Sequence, residues 1–483
     1  MSQEDEREFV KEIASKEEDF SQWYVDVIRK SDMADYSTIK GCMIIKPYGY
    51  AVWENIQAAL DKRIKATGHK NAYFPLFVPE SLLKKEAEHV EGFAPEVAWV
   101  THGGDDELEE RLAIRPTSEA IICSAYAKWV KSYRDLPILI NQWANVVRWE
   151  KVTRLFLRTS EFLWQEGHTV HRTEEEAIEE TLKMLNVYKE FAETELAIPV
   201  LVGKKTDNER FAGAKDTYAI EALATDGKAI QAGTSHNLGQ HFSKVFDIKF
   251  LDEDQTEKYA WQTSWGVSTR VIGALIMVHG DQFGLVFPPR IAPVQVVIIP
   301  IIFGETKDIV TKKVNQIFNE LHDDFSVETD LRDYTPGWKF NEWEMKGVPV
   351  RIEIGPKDIA KKQVVMVRRD TREKMFVAES ELRDKLQSLL DDIQLNLLQK
   401  ALRFREDNTH TTDSYDEFKD IIENKRGFIY TGWCGNNDCE LKVKEDTKAT
   451  IRLIPLDKKE IQGEKCIYCG ADAKEMVYFA RAY

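Results

Sequence analysis

A chain of 483 residues is too long for a single hydrophobic core, and a length prior gives roughly two to four domains. Its 43% hydrophobic content, 11% aromatics and 12 tryptophans exclude a disordered polymer. The net charge of −16 argues against a uniformly basic nucleic-acid binder, and no run approaches the ~18 apolar residues of a membrane span.

The charge is uneven. Met1 to Phe20 is acidic and lacks an apolar run, so it does not read as a secretory signal, and a soluble cytoplasmic chain is expected. Between Lys346 and Lys374 stand Lys346, Arg351, Lys357, Lys361, Lys362, Arg368, Arg369, Arg372 and Lys374, which fit a solvated face as well as a contact surface.

Apolar residues at helical spacing open the chain (Phe9, Ile13, then Trp23, Val27 and Ile28) and recur over 50–64, with Gly68 as the stop. Residues 71–79 predict a short strand in which Pro75 suits an edge. A helix is predicted over 121–130, with Pro116 and Thr117 as its start. Strands are expected at 136–148, 160–168, 217–222, 229–234 and 258–267, around one clear helix at 174–195. Many strands with few helices between them predict a largely antiparallel sheet, hence α+β.

Pro288, Pro289 and Pro293 then read as a linker. Strands at 294–303, 326–331, 350–354 and 363–369 alternate with helices at 307–321 and 379–402, which is βαβ order with a partly parallel sheet. The expected division is 1–287, 288–403 and 404–483.

Neither a Gly-x-x-x-x-Gly-Lys loop nor a strand-linked Gly-x-Gly-x-x-Gly occurs, so side chains must hold any nucleotide. Arg148 can pair bidentately with carboxylate or phosphate, and Glu150 is expected on the same face. Arg158 and Thr159 follow across a polar hairpin tip. Period-2 geometry puts Trp164, Glu166 and His168 on one face, a set costly to bury without a ligand or mutual pairing. Gln231, Gly233, Thr234 and His236 fit a close backbone approach or a plain turn. Ser268 and Arg270, opening an apolar helix, fit a terminal phosphate or an N-cap with a solvated arginine. Thr117 and Glu119 suit a helix start.

Of six cysteines, Cys42 and Cys123 stand singly in apolar surroundings and read as core. Cys434-x4-Cys439 and Cys466-x2-Cys469 pair four thiolates as tetrahedral zinc requires, a closed structural site; disulfides are the alternative.

In this order the motifs resemble class II aminoacyl-tRNA synthetases. Lys46-Pro47 with its helix looks like motif 1, Arg148-x-Glu150 like motif 2, and Gly266-x-Ser268-x-Arg270 like motif 3. Thr117-x-Glu119, Trp164-x-Glu166-x-His168 and Gly233-Thr234-Ser235-His236 are similar to the prolyl-tRNA synthetases, and the tail ending in Tyr483 is similar to their archaeal and eukaryotic type. The resemblance implies ATP, Mg2+ and structural Zn2+, with L-proline and tRNA(Pro) as partners, and a homodimer built through motif 1. Arg148 would bridge the proline carboxylate and the α-phosphate, Glu150 would meet the adenine amino group, and Arg158 and Arg270 would hold the outer phosphates beside Thr159 and Ser268. Gln231 and Thr234 would bracket the nucleotide. Thr117 and Glu119 would accept from the ring nitrogen, and Phe93, Trp164, Glu166 and His168 would surround the ring, with His236 and Glu96 nearby. Residues 288–403 resemble an anticodon-binding domain, in which Trp338, Lys339, Phe340 and Glu344 offer stacking and hydrogen-bonding groups. The short stretch between His168 and Gln231 implies that no editing domain is inserted there. Synthetases for threonine, glycine or histidine are rival readings, as is a non-catalytic paralogue, against which Arg148, Glu150, Gln231 and Arg270 together argue.

Overall fold

The computed structural model describes residues 13–87, 96–457 and 461–483. Helix α1 (Phe20–Lys30) buries Trp23, Val27 and Ile28 at helical spacing, and Asp19 caps it by accepting from the Gln22 amide. Helix α2 (Pro47–Ala66) begins on a proline, whose missing N–H costs nothing at that position. It buries Val52, Trp53, Ile56, Leu60 and Ile64 in the main core. The 71–79 strand expected from the sequence is instead two pieces, β1 (Lys70–Asn71) and β2 (Phe77–Pro79), which join different sheets. Pro75 lies in the break, where its lack of a donor interrupts the ladder. Two strands that the sequence pattern did not reveal, β3 (Trp99–Gly103) and β4 (Asp106–Ile114), complete a small sheet with β2. Their exposed, charged sequence has no alternation to detect.

Helix α3 (Glu119–Trp129) follows, and Thr117 does not cap it: Ser118 is the first flanking residue, with no side-chain cap. The strands β5 (Ile138–Val147), β6 (Glu161–His171), β7 (Leu201–Lys204), β8 (Asp216–Leu223), β9 (Ala229–Gly239) and β10 (Trp261–Ser268) form the antiparallel body of one large sheet, in the order β7-β8-β9-β10-β6-β5. Helix α4 (Glu174–Thr194), closed by a Thr173–Glu176 capping box, covers one face with α5 (Arg270–His279). On that face the Trp265 indole lies on Gly167; a Cβ at Gly167 would meet the ring at 2.1 Å, so only glycine fits. The opposite face, carrying alternate residues, is covered at one end by α3, where Val170 and Leu238 join a separate core, and is open at the other.

A second, mixed sheet holds β11 (Val296–Pro300), β12 (Val327–Thr329), β13 (Val350–Ile354), β14 (Gln363–Arg368) and β15 (Lys374–Ala378), in the order β12-β11-β13-β14-β15. The first three of these are parallel, and α6 (Lys307–Leu321) and the long α8 (Leu382–Asp407) pack in its own core. Between them in sequence, α7 (Pro336–Met345) packs on the other face of β11, with Trp343 clustered with Val297 and Ile299. The C-terminal strands β16 (Thr409–Thr411), β17 (Phe428–Trp433), β18 (Thr450–Pro455) and β19 (Glu475–Ala480), with helix α9 (Asn437–Thr447), close a third core. They do not stand apart: β18 pairs with β7 through Ile454 and Lys204, so one eleven-stranded sheet runs from the first unit into the third. No helix among the described residues is long and apolar enough to cross a membrane. Cys123 is core as expected, whereas Cys42 is only half-buried, on the short hairpin approach before Met43.

Candidate active site

The open part of that face floors a cavity of about 290 Å3. Strand register explains its lining. Gln142, Glu166, Gly266 and Thr234 lie in one row across β5, β6, β10 and β9, and His168, Ser264, His236 and Thr217 lie in the next, continuing to β8. Eleven residues expected from the sequence line this one cavity: Thr117, Glu119, Arg148, Trp164, Glu166, His168, Gln231, Thr234, His236, Ser268 and Arg270. Glu96, Glu150 and Arg158 instead line an adjoining hollow of about 330 Å3, which shares Arg148. Glu150 is not on a strand face with Arg148, because β5 ends at Val147. Thr159 is buried with its hydroxyl on the Glu161 carbonyl (2.7 Å) and lines neither space. Phe93 lies outside the described residues.

The histidine end is internally paired. The buried Glu166 carboxylate faces His168 Nε2 at 2.9 Å and accepts from Gln142 Nε2 (2.9 Å) and from the Ser118 hydroxyl. Burial works against its charge, but His168, Ser118 and Gln142 prevail and hold the Glu166 carboxyl below its ordinary range. Burial likewise opposes protonation of His168, and the Glu166 contact overrides it, raising the imidazole. His236 is the reverse: burial, then the neighbouring His168, push it down to about 3, so it is neutral. Its Nδ1 meets the Thr217 hydroxyl at 3.0 Å, and Phe211 stacks against its ring at 4.7 Å. The Thr117 hydroxyl donates to Glu119.

The arginine end is unpaired by comparison. Arg148 donates Nε to the Pro116 carbonyl (2.9 Å), with its guanidinium 5.5 Å from both the Phe162 and Trp164 rings. Arg270 donates Nε to the Leu157 carbonyl (3.1 Å), and its amide meets Ser268 Oγ at 3.2 Å; the flanking residue of α5 is Thr269, so Ser268 is not the N-cap. Burial, and then the like charges of Arg148 and Arg158, hold the Arg270 guanidinium below its usual range. Three cations converge. Among the described residues, the Trp164 indole N–H and the Ser264 hydroxyl of the cavity wall are buried without a hydrogen-bond partner.

This site sits in a recognised core: residues 99–279 match the tRNA synthetase class II core domain (G, H, P, S and T), and residues 295–389 match the anticodon binding domain. Residues 415–483 match the C-terminal domain of prolyl-tRNA synthetase. The chain is 64% identical over 479 residues to the proline–tRNA ligase of Natranaerobius thermophilus, covering 99% of both chains. The chain belongs to the prolyl-tRNA synthetases. It is 60% identical to the proline–tRNA ligase of Alkaliphilus oremlandii and 58% identical to proline–tRNA ligase 2 of Clostridioides difficile, each over 99% of both chains.

In this synthetase the four C-terminal cysteines, Cys434, Cys439, Cys466 and Cys469, converge with their sulfurs within 4.8 Å of one another. Sulfurs of Cys434 and Cys439 are 3.7 Å apart, and those of Cys434 and Cys469 3.8 Å. A disulfide needs about 2.05 Å. A tetrahedron with Zn–S near 2.3 Å puts its sulfurs about 3.8 Å apart, so the donor set fits zinc.

In the second unit the expected RNA-facing residues divide. Lys339 is buried, donating to the Asp330 carbonyl at 3.0 Å, and Glu344 is held by Arg372, so neither is offered to a base. Phe340 lies 4.0 Å under the Arg351 guanidinium. Trp338 stacks on exposed Tyr334 at 4.0 Å with Arg332 above both rings, a platform the sequence reading saw only in part. The basic run is mostly neutralised: Arg369 forks onto Asp281 (2.6 and 2.7 Å), Arg368 onto Asp370, and Arg351 onto Glu353.

Four lining residues escaped the sequence reading of the site: Phe162, Glu209, Phe211 and Thr217. Phe162 was within reach, since it stands two residues before Trp164 on the same strand. Glu209 and Phe211 come from an irregular segment with no period to read.

Proposed function

We propose that this synthetase attaches L-proline to tRNA(Pro) in two steps, through prolyl-adenylate. The observation that carries this is the division of one cavity: guanidinium groups at one end, and paired carboxylates with aromatic rings at the other. The proline carboxylate attacks the α-phosphorus of ATP, the new O–P bond forms, and pyrophosphate leaves with the electron pair. A ribose hydroxyl at the tRNA 3′ end then displaces AMP from the carbonyl. Both steps need reactants held in line and negative charge neutralised more than they need an added nucleophile.

Arg148, between the two ends, is assigned to the carboxylate and the α-phosphate. Arg270 and Arg158 take the outer phosphates beside Ser268, and Gln231 and Thr234 flank the nucleotide. Glu150, in the adjoining hollow, takes the adenine amino group; Thr159 is assigned to shaping the hairpin tip. Thr117 and Glu119 accept from the charged ring nitrogen, while Trp164, Glu166, His168 and His236 enclose the ring. Phe93 and Glu96 are retained as neighbours of that pocket. The four cysteines are the one cluster of three or more metal-ligating groups among the described residues. Mg2+ is therefore assigned to arrive on the triphosphate, and Zn2+ to the cysteines, where it would supply a structural crosslink and no open coordination position.

We further infer the archaeal and eukaryotic type of domain order, with units 1–287, 288–403 and 404–483, in a cytoplasmic homodimer. Exposed Tyr73 and Phe77 near Pro75 support a covered surface there. Residues 172–228 hold one long helix and two strands, which favours an enzyme without an inserted editing domain. A pocket gains only about 1–3 kcal/mol from a methylene, so alanine or cysteine should be activated measurably, and mischarged tRNA(Pro) should persist; efficient hydrolysis by the enzyme itself would refute that part. The main test is amino-acid-dependent pyrophosphate exchange. Proline is expected to be strongest, with Glu119→Ala reducing exchange more than Glu344→Ala. Stronger exchange with threonine, glycine or histidine would reject the assignment, and no exchange in zinc-replete protein would favour a non-catalytic paralogue.

A further inference from the structure

One wall of the cavity, Glu209 with Phe211, is carried by the irregular segment that leaves β7 at Lys204. Such a segment has no ladder of its own to fix it. Its polar side chains are instead fixed by the C-terminal unit. The buried Lys205 ammonium donates to Glu221 (2.6 Å) and to the Arg452 carbonyl (2.8 Å), and the Arg452 guanidinium grips the same Glu221 (2.8 Å). The Thr206 hydroxyl donates to Glu440 (2.8 Å), and the Asn208 amide donates to the other oxygen of that carboxylate (2.9 Å). Lys444 approaches Glu209 at 3.4 Å. Glu440 and Lys444 are both on α9, and Arg452 is on β18, the strand that pairs with β7. Beyond these anchors the Phe211 amide donates to Thr217 Oγ1 (3.0 Å), and the Phe211 ring covers His236.

We propose that the C-terminal unit positions the 205–211 segment over the imino-acid end of the cavity, with Thr206, Asn208, Glu440 and Arg452 as positioning residues for proline. None of the four lines the cavity, so each acts through Phe211 and Glu209. Lys205, Glu221 and Arg452 form a buried set whose charges need one another, which makes the junction stiff and leaves little freedom for the wall. This rests on the reading that proline lies beside His168 and His236.

The test is pyrophosphate exchange by the full chain with proline and ATP varied separately, alongside thermal unfolding. The Thr206→Val/Asn208→Ala double variant should raise the KM for proline about tenfold, with the KM for ATP within about twofold and a cooperative unfolding transition lowered only by the loss of the Glu440 contacts. Arg452→Met should raise the proline KM likewise while lowering the unfolding midpoint, and Arg452→Lys, which keeps a cation beside Glu221, should recover part of both losses. If Arg452→Met does not fold, the double variant decides alone. An unchanged proline KM in the double variant would overturn the proposal, as would equal rises for both substrates. Wild-type protein lacking proline-dependent exchange would overturn the underlying reading and this inference with it.

Discussion

The two ends of the cavity are built on opposite electrostatic plans. At the histidine end the titratable side chains are paired, with Glu166 on His168, Ser118 and Gln142, and His236 on Thr217. At the other end Arg270 is opposed by Arg148 and Arg158, and Arg148 and Arg270 donate to the Pro116 and Leu157 carbonyls. About four strand residues, from Trp164 to His168, separate them, roughly 13 Å. On the proposed function the difference assigns each end: the preorganised pocket to a small, shaped zwitterion, and the mutually repelling cations to a polyanion that relieves them.

The comparison is broken most severely at its hinge. Arg148→Ala should lower kcat/KM for proline-dependent exchange about 10^3-fold, roughly 4 kcal/mol, because the proposed function has it face both substrates; steady-state exchange measures it, and a loss below tenfold would contradict the shared role. Glu166→Gln should weaken the pocket end alone, raising the KM for proline by thirty- to a hundredfold, about 2–2.7 kcal/mol, with ATP's KM little changed.

Acid sharpens the contrast within the pocket. His236 has a folded value of about 3 against roughly 6.5 unfolded. The unfolded chain therefore binds the proton first, and the stability that neutral His236 retains above 6.5 falls as pH drops from 6.5 towards 3, by about 1.4 kcal/mol per unit. His168, raised by Glu166, has the opposite sign: its contribution is present below 6.5 and is lost as pH rises through its folded value. Denaturant unfolding of His236→Asn across that window should show the shallower slope. The smallest effect lies outside the cavity: Trp338→Ala should cost about 1 kcal/mol in tRNA charging and leave exchange untouched, since exchange needs no tRNA.

Legibility in the sequence followed period. Strand alternation placed Trp164, Glu166 and His168 on one face, and helical spacing placed α2 and α6, because burial on one side leaves a repeating mark. Pro75 was visible, but that it would split a strand between two sheets was not, since pairing partners are set by tertiary contacts. Lys339 and Glu344 looked available because the chain does not announce Asp330 and Arg372 as their partners. The union of β18 with β7 joins residues about 250 apart in sequence, and no local pattern records it.

A crystal structure with a non-hydrolysable prolyl-adenylate analogue tests the central claim most directly. The Arg148 guanidinium should lie against the phosphate, with the pyrrolidine ring beside Trp164 and His168 and its nitrogen directed at Thr117 and Glu119. A ligand whose ring and phosphate occupied the reverse ends, or bound away from this cavity, would contradict it.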